Sequence, residues 1–394
     1  MPIWGESMSR SRILMGIITA GLLLAAFRVA VAPAAGAHAV RHKEAFTVVA
    51  DHLNNPRGLS PAPHGGLYLA EAGAGGDVCV AAGPEGETCI GRTGSFDWVR
   101  AGRVRRIVAG LVSGSGPGGI AAEGPVAVSA GPDGTFFGQF GLSSHAVPPE
   151  GVIPAQLRDA SLAQLGHLWQ VRRNGSTKDV SDVGDQDWTW TSTRINLAPK
   201  DFPDANPNAV LYSRGKLYVV DAGANILVRV KRNGTVKVLT FFPVPAGAQS
   251  DSVPTCVARG PDGALYVGEL LGGFYSPGGA RVWRVVPGHA PKVWARGLTT
   301  VQGCGFGKDG AFYATEFQVG GLNEGPTANP AGDVVRIGRN GTRTHLGVGK
   351  LFFPSGFAAG SDGAIYVSNC SIAPATGLGP QLCPTGGQVV QIKQ

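Results

Sequence analysis

The sequence predicts an all-β protein: a six-bladed β-propeller closed by pairing of its N- and C-terminal strands. Three observations carry that expectation. First, a phrase aligned on Asp-Gly-x-apolar-aromatic, fullest in "GPDGALYVGEL", recurs six times, with its aromatic at Tyr68, Phe137, Tyr218, Tyr266, Tyr313 and Tyr366. Second, the last three intervals are 48, 47 and 53 residues, the length of one four-stranded blade. Third, the repeats leave one strand over at the start, "FTVVAD" (Phe46–Asp51), and stop one strand short after "GQVVQIK" (Gly387–Lys393). Each of these ends supplies what the other lacks, and their pairing removes the open edges that invite aggregation.

Within a repeat, the first strand opens on Pro56, Pro125, Pro207, Pro254 or Pro354, with Val301 in the fifth copy. Proline suits a strand's first residue, where no ladder donor is lost. Two residues on stand Gly58, Ala127, Ala209, Cys256, Gly303 and Gly356, all small enough for a crowded innermost strand. The second strand, "ALYVGE" and its relatives, is apolar on both faces, as a blade packed between two blades requires. Strands three and four form hairpins crossing at Asn174-Gly175, Asn233-Gly234 and Asn340-Gly341, for which the Asn-Gly pair predicts tight type I′ turns. Two intervals of 69 and 81 residues carry insertions. Ala155–Leu165 reads as a short helix. Trp188 and Trp190 sit in a polar connection, either as a stacking platform or as pins against the ring.

Residues 1–39 read as a cleaved signal peptide: Arg10 and Arg12, an apolar run from Ile13 to Phe27, then "APAAGAHA" with its Ala-x-Ala sites. That run is shorter than the roughly 20 residues a spanning helix needs. Residues 40–394 then form one exported domain, extracellular or periplasmic, with no stable membrane insertion after cleavage. Export makes disulfide candidates of the 6 cysteines. Cys79 with Cys89 and Cys370 with Cys383 each bracket a loop, whereas Cys256 and Cys304 lie in strands, as buried thiols or as a bridge. The net charge of +7 is spread without a basic run, so nucleic acid is not an expected partner.

Taken together, "LNNPRGL", "TCIGRTGSF", "VVDAGAN", "DSVPTCVARGPDGALYVGEL" and "IYVSNC" give a chain that resembles the ScyD/ScyE family of exported propellers of the NHL-repeat kind, over nearly all of the mature length. The resemblance implies the fold and export. It implies no reaction.

The phrase itself ends on Glu71, Phe140, Asp221, Glu269, Glu316 and Asn369, expected near one mouth of the central channel beside the strand entries Arg57, Val126, Asn208, Thr255, Gln302 and Ser355. Four carboxylates around one opening need protonation, a cation such as Arg57, or a divalent metal. Hard oxygen donors suit Ca2+ or Mg2+. The other role for such acids is to accept backbone amides and fix the connections between strands. The sequence holds no Gly-x-Ser-x-Gly elbow, His-Glu-x-x-His motif or phosphate loop. His145 is a lone histidine in an insertion. The expected function is therefore a monomeric binding or scaffold propeller that holds a small molecule or protein segment at the channel mouth. The alternative is a metal-dependent hydrolase or lyase, lactonase-like by analogy of fold, acting at the same mouth.

Overall fold

The computed structural model describes residues 44–394 apart from 64, 82–85, 244–250, 273–276 and 322–328. The signal-peptide expectation therefore lies outside the described residues. Six antiparallel sheets form a six-bladed β-propeller, each blade starting on the strand nearest the axis. Those inner strands are Pro56–Pro61, Pro125–Ala130, Pro207–Ser213, Pro254–Arg259, Val301–Phe306 and Phe357–Ala359. The ring closes as expected. Ala45–Leu53 lies antiparallel to Gly387–Lys393 as the outer strand of blade six, with Phe46 opposite Ile392 and Val48 opposite Val390.

The hydrophobic core is six interfaces rather than one centre. Between blades three and four, Tyr218, Val220 and Leu227 meet Val257, Leu265, Val267 and Trp283. Between four and five, Tyr266 and Val282 meet Val301, Phe312 and Ala314. Leu265 and Val267 point one way and Tyr266 the other, all buried. A strand clothed on both faces has to be apolar at successive positions, which is why the phrase shows no polar alternation.

The Asp-Gly and Asn-Gly turns are one device, and here the structure corrects the sequence. No Asn at the three hairpin tips has positive φ; only the following Gly does, at +86°, +81° and +81° for Gly175, Gly234 and Gly341. The Gly234 amide donates to the Lys231 carbonyl and the Lys231 amide to the Thr235 carbonyl. That pattern is a type I turn closed by a glycine bulge, not type I′. The Gly260–Ala264 turn repeats it, with the Asp262 carboxylate taking the Ala264 amide as Asn233 takes that of Thr235. Asp262 also holds Arg284, and Asp309 holds Arg336 in the same way.

All three pairings expected or left open for the cysteines are bridges: Cys79–Cys89, Cys370–Cys383 and Cys256–Cys304. The first joins directly opposed residues of an added hairpin arm, Val78–Ala81 against Glu87–Arg100, rather than closing a bare loop. The last ties the inner strands of blades four and five. The predicted helix spans Ala155–Leu162. A second helix, Val183–Ser192, carries Trp188 and Trp190; Asp182 caps it by accepting the Asp185 amide.

Candidate functional site

The inner strands stand so close that side chains beyond the small ones have no room. A Cβ on Gly58 would sit 2.7 Å from the Ala127 Cα. They enclose a cavity of about 430 Å3 along the axis. All six strand entries, Arg57, Val126, Asn208, Thr255, Gln302 and Ser355, line it, with Glu123 and Asn206 beside them. The Arg57 guanidinium is buried at 5% exposure, donates to the Ala122 carbonyl at 2.6 Å and stands 4.0 Å from Glu123. Burial lowers the Arg57 pKa and raises that of Glu123; their mutual attraction opposes both shifts. Asn55 fixes the segment bearing Glu123, accepting the Ala122 amide and donating to the Gly73 and Gly119 carbonyls. Two buried polar atoms of this wall have no protein partner: Nε of Arg57 and Oε1 of Gln302.

The phrase-ending residues lie behind that wall, and of the sequence-predicted site set only Arg57 lines the cavity. Each of the others is tied to the segment entering its own blade. Glu71 accepts the Asn54 amide at 2.5 Å, Asp221 those of Asn206 and Ala224 at 2.7 and 2.8 Å, and Glu316 that of Thr299 at 2.6 Å. Glu269 accepts the Ser252 hydroxyl and a two-pronged contact from Arg281, at 2.7 and 2.8 Å. Asn369 accepts the Phe352 amide and donates to Gln388. Among the described residues, no three of these acids have ligand oxygens within 4.8 Å of one another. His145 does not reach the channel lining; it stacks on Trp188, ring centroids 4.1 Å apart. Trp190 packs against Phe202 and Phe241.

What sequence reasoning missed is a second carboxyl beside three of these acids. Asp97 meets Glu71, Asp187 meets Asp221, and Asp333 lies directly across from Glu316. Burial first, then the neighbouring acid, pushes Asp97 and Asp187 well above the usual carboxylate range. Burial raises Asp221 to about 6 against the pull of the Ala224 and Asn206 amides. Burial and Asp333 raise Glu316 to about 7. Asp333 was readable from the third strand, where "AGDVVRI" stands in register with "GARVWRV"; Asp187, from a helix in another element, had no such signal.

Neither Asp187 oxygen has a protein donor and its charged neighbour is the Asp221 carboxylate, so a proton on Asp187 is expected to bridge the two acids. A carboxyl with a raised folded pKa contributes stability that is complete below about pH 4, where the unfolded group is also protonated. That contribution is lost as pH rises through the folded value, with a slope of up to about 1.4 kcal/mol per pH unit for one proton. Asp187→Asn keeps a donor for Asp221 and removes the titration. Its melting temperature is expected to gain on the parent's steadily from pH 5 to pH 8. A difference that stays constant over that range rules out the shared proton.

No protein-family model and no curated protein sequence matches this chain. Solved propellers do. A glucose dehydrogenase-type oxidoreductase from Thermus thermophilus matches with TM-score 0.52 at 16% identity, over 89% of this chain and 100% of its own. A gluconolactonase from Xanthomonas campestris matches with TM-score 0.51 at 9% identity, over 89% and 90%. A further glucose dehydrogenase gives TM-score 0.51 at 13% identity, over 89% and 99%. At these identities the likeness establishes the propeller fold alone.

Proposed function

We propose that this chain is an exported propeller of the ScyD/ScyE type that binds a small polar molecule in the mouth of its channel. One observation carries the reading. The side chains of Arg57 and Gln302 line a cavity large enough for a small ligand, and one buried atom of each, Nε and Oε1, has no protein partner. Buried polar groups in folded proteins are nearly always satisfied, so side chains left with unmet bonding capacity beside a cavity point to a bound molecule. The guanidinium suits a carboxylate or a polarised carbonyl. Gln302, Asn208, Thr255 and Ser355 suit hydroxyls. The best-matched class is a hydroxylated acid such as an aldonate.

The metal-dependent hydrolase or lyase reading has a thinner basis. Glu123 is the one carboxylate among the described lining residues, and it faces Arg57. Calcium and magnesium call for several oxygen ligands. Export is supported by three bridges, which persist in oxidising compartments. No helix among the described residues is long and apolar enough to cross a membrane. Four exposed apolar side chains, Val48, Val104, Trp294 and Val348, sit on four different blades, in keeping with a monomer.

A melting series with gluconate and its neutral alcohol and lactone counterparts tests the binding reading. A ligand specific for the native state adds about 2.7 kcal/mol at a hundredfold excess over its dissociation constant. The shift is expected for the acid and lost in both Arg57→Met and Gln302→Ala. A series without any shift, or one that persists in both variants, overturns the site.

A further inference from the structure

The repeat provides its own internal comparison at the residue facing each phrase-ending acid. In blade four Glu269 ends the second strand, Leu265–Glu269, and the register of that strand with the third, Ala280–Val285, brings Arg281 opposite it. That arginine neutralises the buried acid directly. Blade five puts Glu316 in the same place, at the end of Phe312–Glu316, but its register partner on Ala331–Ile337 is Asp333. One cation has been exchanged for a second anion, so two buried carboxylates stand side by side, at 5% exposure each. Among the described residues neither has an arginine or lysine partner. The side chain facing them is the imidazole of His345, on the fourth strand, Arg343–Phe352, with Nδ1 2.6 Å from Oδ2 of Asp333.

We infer that Glu316, Asp333 and His345 form a binding site for a divalent transition-metal ion, which takes the place the Arg281 guanidinium holds in blade four. One ligand atom from each lies within 4.8 Å of the other two. Ligands on one tetrahedral zinc stand roughly 3.4 Å apart, so small side-chain adjustments close the set. The Oδ1 of Asp333 is a second and independent pointer: it is buried, on a side chain 7% exposed, and has no hydrogen-bond donor. The Thr299 amide already fixes one oxygen of Glu316, which orients the other. His345 is 53% exposed, which gives an ion its path from solvent and leaves room for water to complete the shell. An imidazole with two carboxylates favours zinc, manganese or cobalt over calcium and magnesium, which prefer oxygen throughout. The other group of close potential ligands, Cys79, Glu87 and Cys89, has both sulfurs in a disulfide. None of the three blade-five residues lines the channel cavity, so this site stands or falls apart from the ligand site.

The test is titration of chelator-treated mature protein with Zn2+, followed by calorimetry, and with Co2+, followed by its visible absorption. The parent is expected to bind one ion per chain and to give a cobalt spectrum. His345→Ala alters a half-exposed side chain and should leave the fold intact; it is expected to weaken binding by at least tenfold, the floor for losing even an indirect support of a metal. Asp333→Arg rebuilds the blade-four pair and is expected to fold, lose zinc binding and lose the cobalt spectrum. A parent that binds no zinc overturns the site, as does either variant binding zinc with the parent's affinity and stoichiometry.

Discussion

Deletion of Ala45–Leu53 is expected to drive the folded protein into aggregates. The segment adds no blade of its own, yet it covers the whole outer edge of Gly387–Lys393. Without it, the backbone groups of that strand that face outward lose their partners, and the edge becomes a template for another chain. Ala50 and Leu53 belong to the interface between blades six and one, with Leu59, Leu69, Ala358 and Val389, so the damage reaches the closing seam of the ring. Size-exclusion chromatography and a thermal melt measure the result. A rescue separates closure from mere loss of residues. Ala45 lies opposite Lys393, so moving Ala45–Leu53 to follow Gln394 through a short Gly-Asn turn returns the strand to its place in the same antiparallel sense. The moved strand should restore a monomer. A deletion variant that remains monomeric and melts with the parent would sink the closure argument.

That seam was legible in the sequence because it is a matter of counting: one unmatched strand at each end of a periodic chain has one economical solution. The inner strands and the doubly buried second strands were legible for a similar reason, since small residues and unbroken apolar runs leave few alternatives. Turn type was not. Asn-Gly is compatible with both I′ and the bulged type I turn, and the choice follows from how many residues the flanking strands leave unpaired, here Lys231 to Thr235 between Val230 and Val236. The site was legible by halves. The repeat indicated Arg57 and Gln302 as entries to the channel, because position in a blade fixes which way a strand entry looks. It also picked out Glu71, Asp221, Glu269 and Glu316, but not what they face. Their partners come from the third strand of the same blade or from the helix Val183–Ser192; Asp333 and Arg281 follow directly from strand register, whereas Asp97 sits two residues beyond the residue opposite Glu71. The helix was hidden by its composition: Trp, Thr and Asp are middling or poor helix formers, and the Asp182 cap is its one clear signal.

Arg281→Met is expected to cost about 3–5 kcal/mol, the range for removing one partner of a buried ion pair. At a few degrees per kcal/mol for a domain of this size, the melting temperature should fall by about 10 °C. Glu269 is fully buried, and Arg281 supplies three of the donors that hold it: its amide, Nε and a terminal nitrogen. Methionine keeps the backbone amide, but beyond it the acid has only the Ser252 hydroxyl and the Trp283 indole to share its charge. The guanidinium also lies over the Trp283 ring, 4.6 Å from its centroid, so the change loosens packing as well as charge. The Glu269→Gln, Arg281→Met double variant separates the two losses. If the cost is the stranded carboxylate, removing its charge should return most of the stability, and the coupling between the two positions should reach about 2–3 kcal/mol. If the cost is packing around Trp283, the double variant should be at least as unstable as Arg281→Met alone. Arg281→Lys gives the intermediate case, with the charge kept and the two-pronged geometry lost. The outcome also bears on blade five. An acid that cannot tolerate losing its arginine in blade four implies that Glu316, which has Asp333 in that position, must have its charge met by a proton or by an ion.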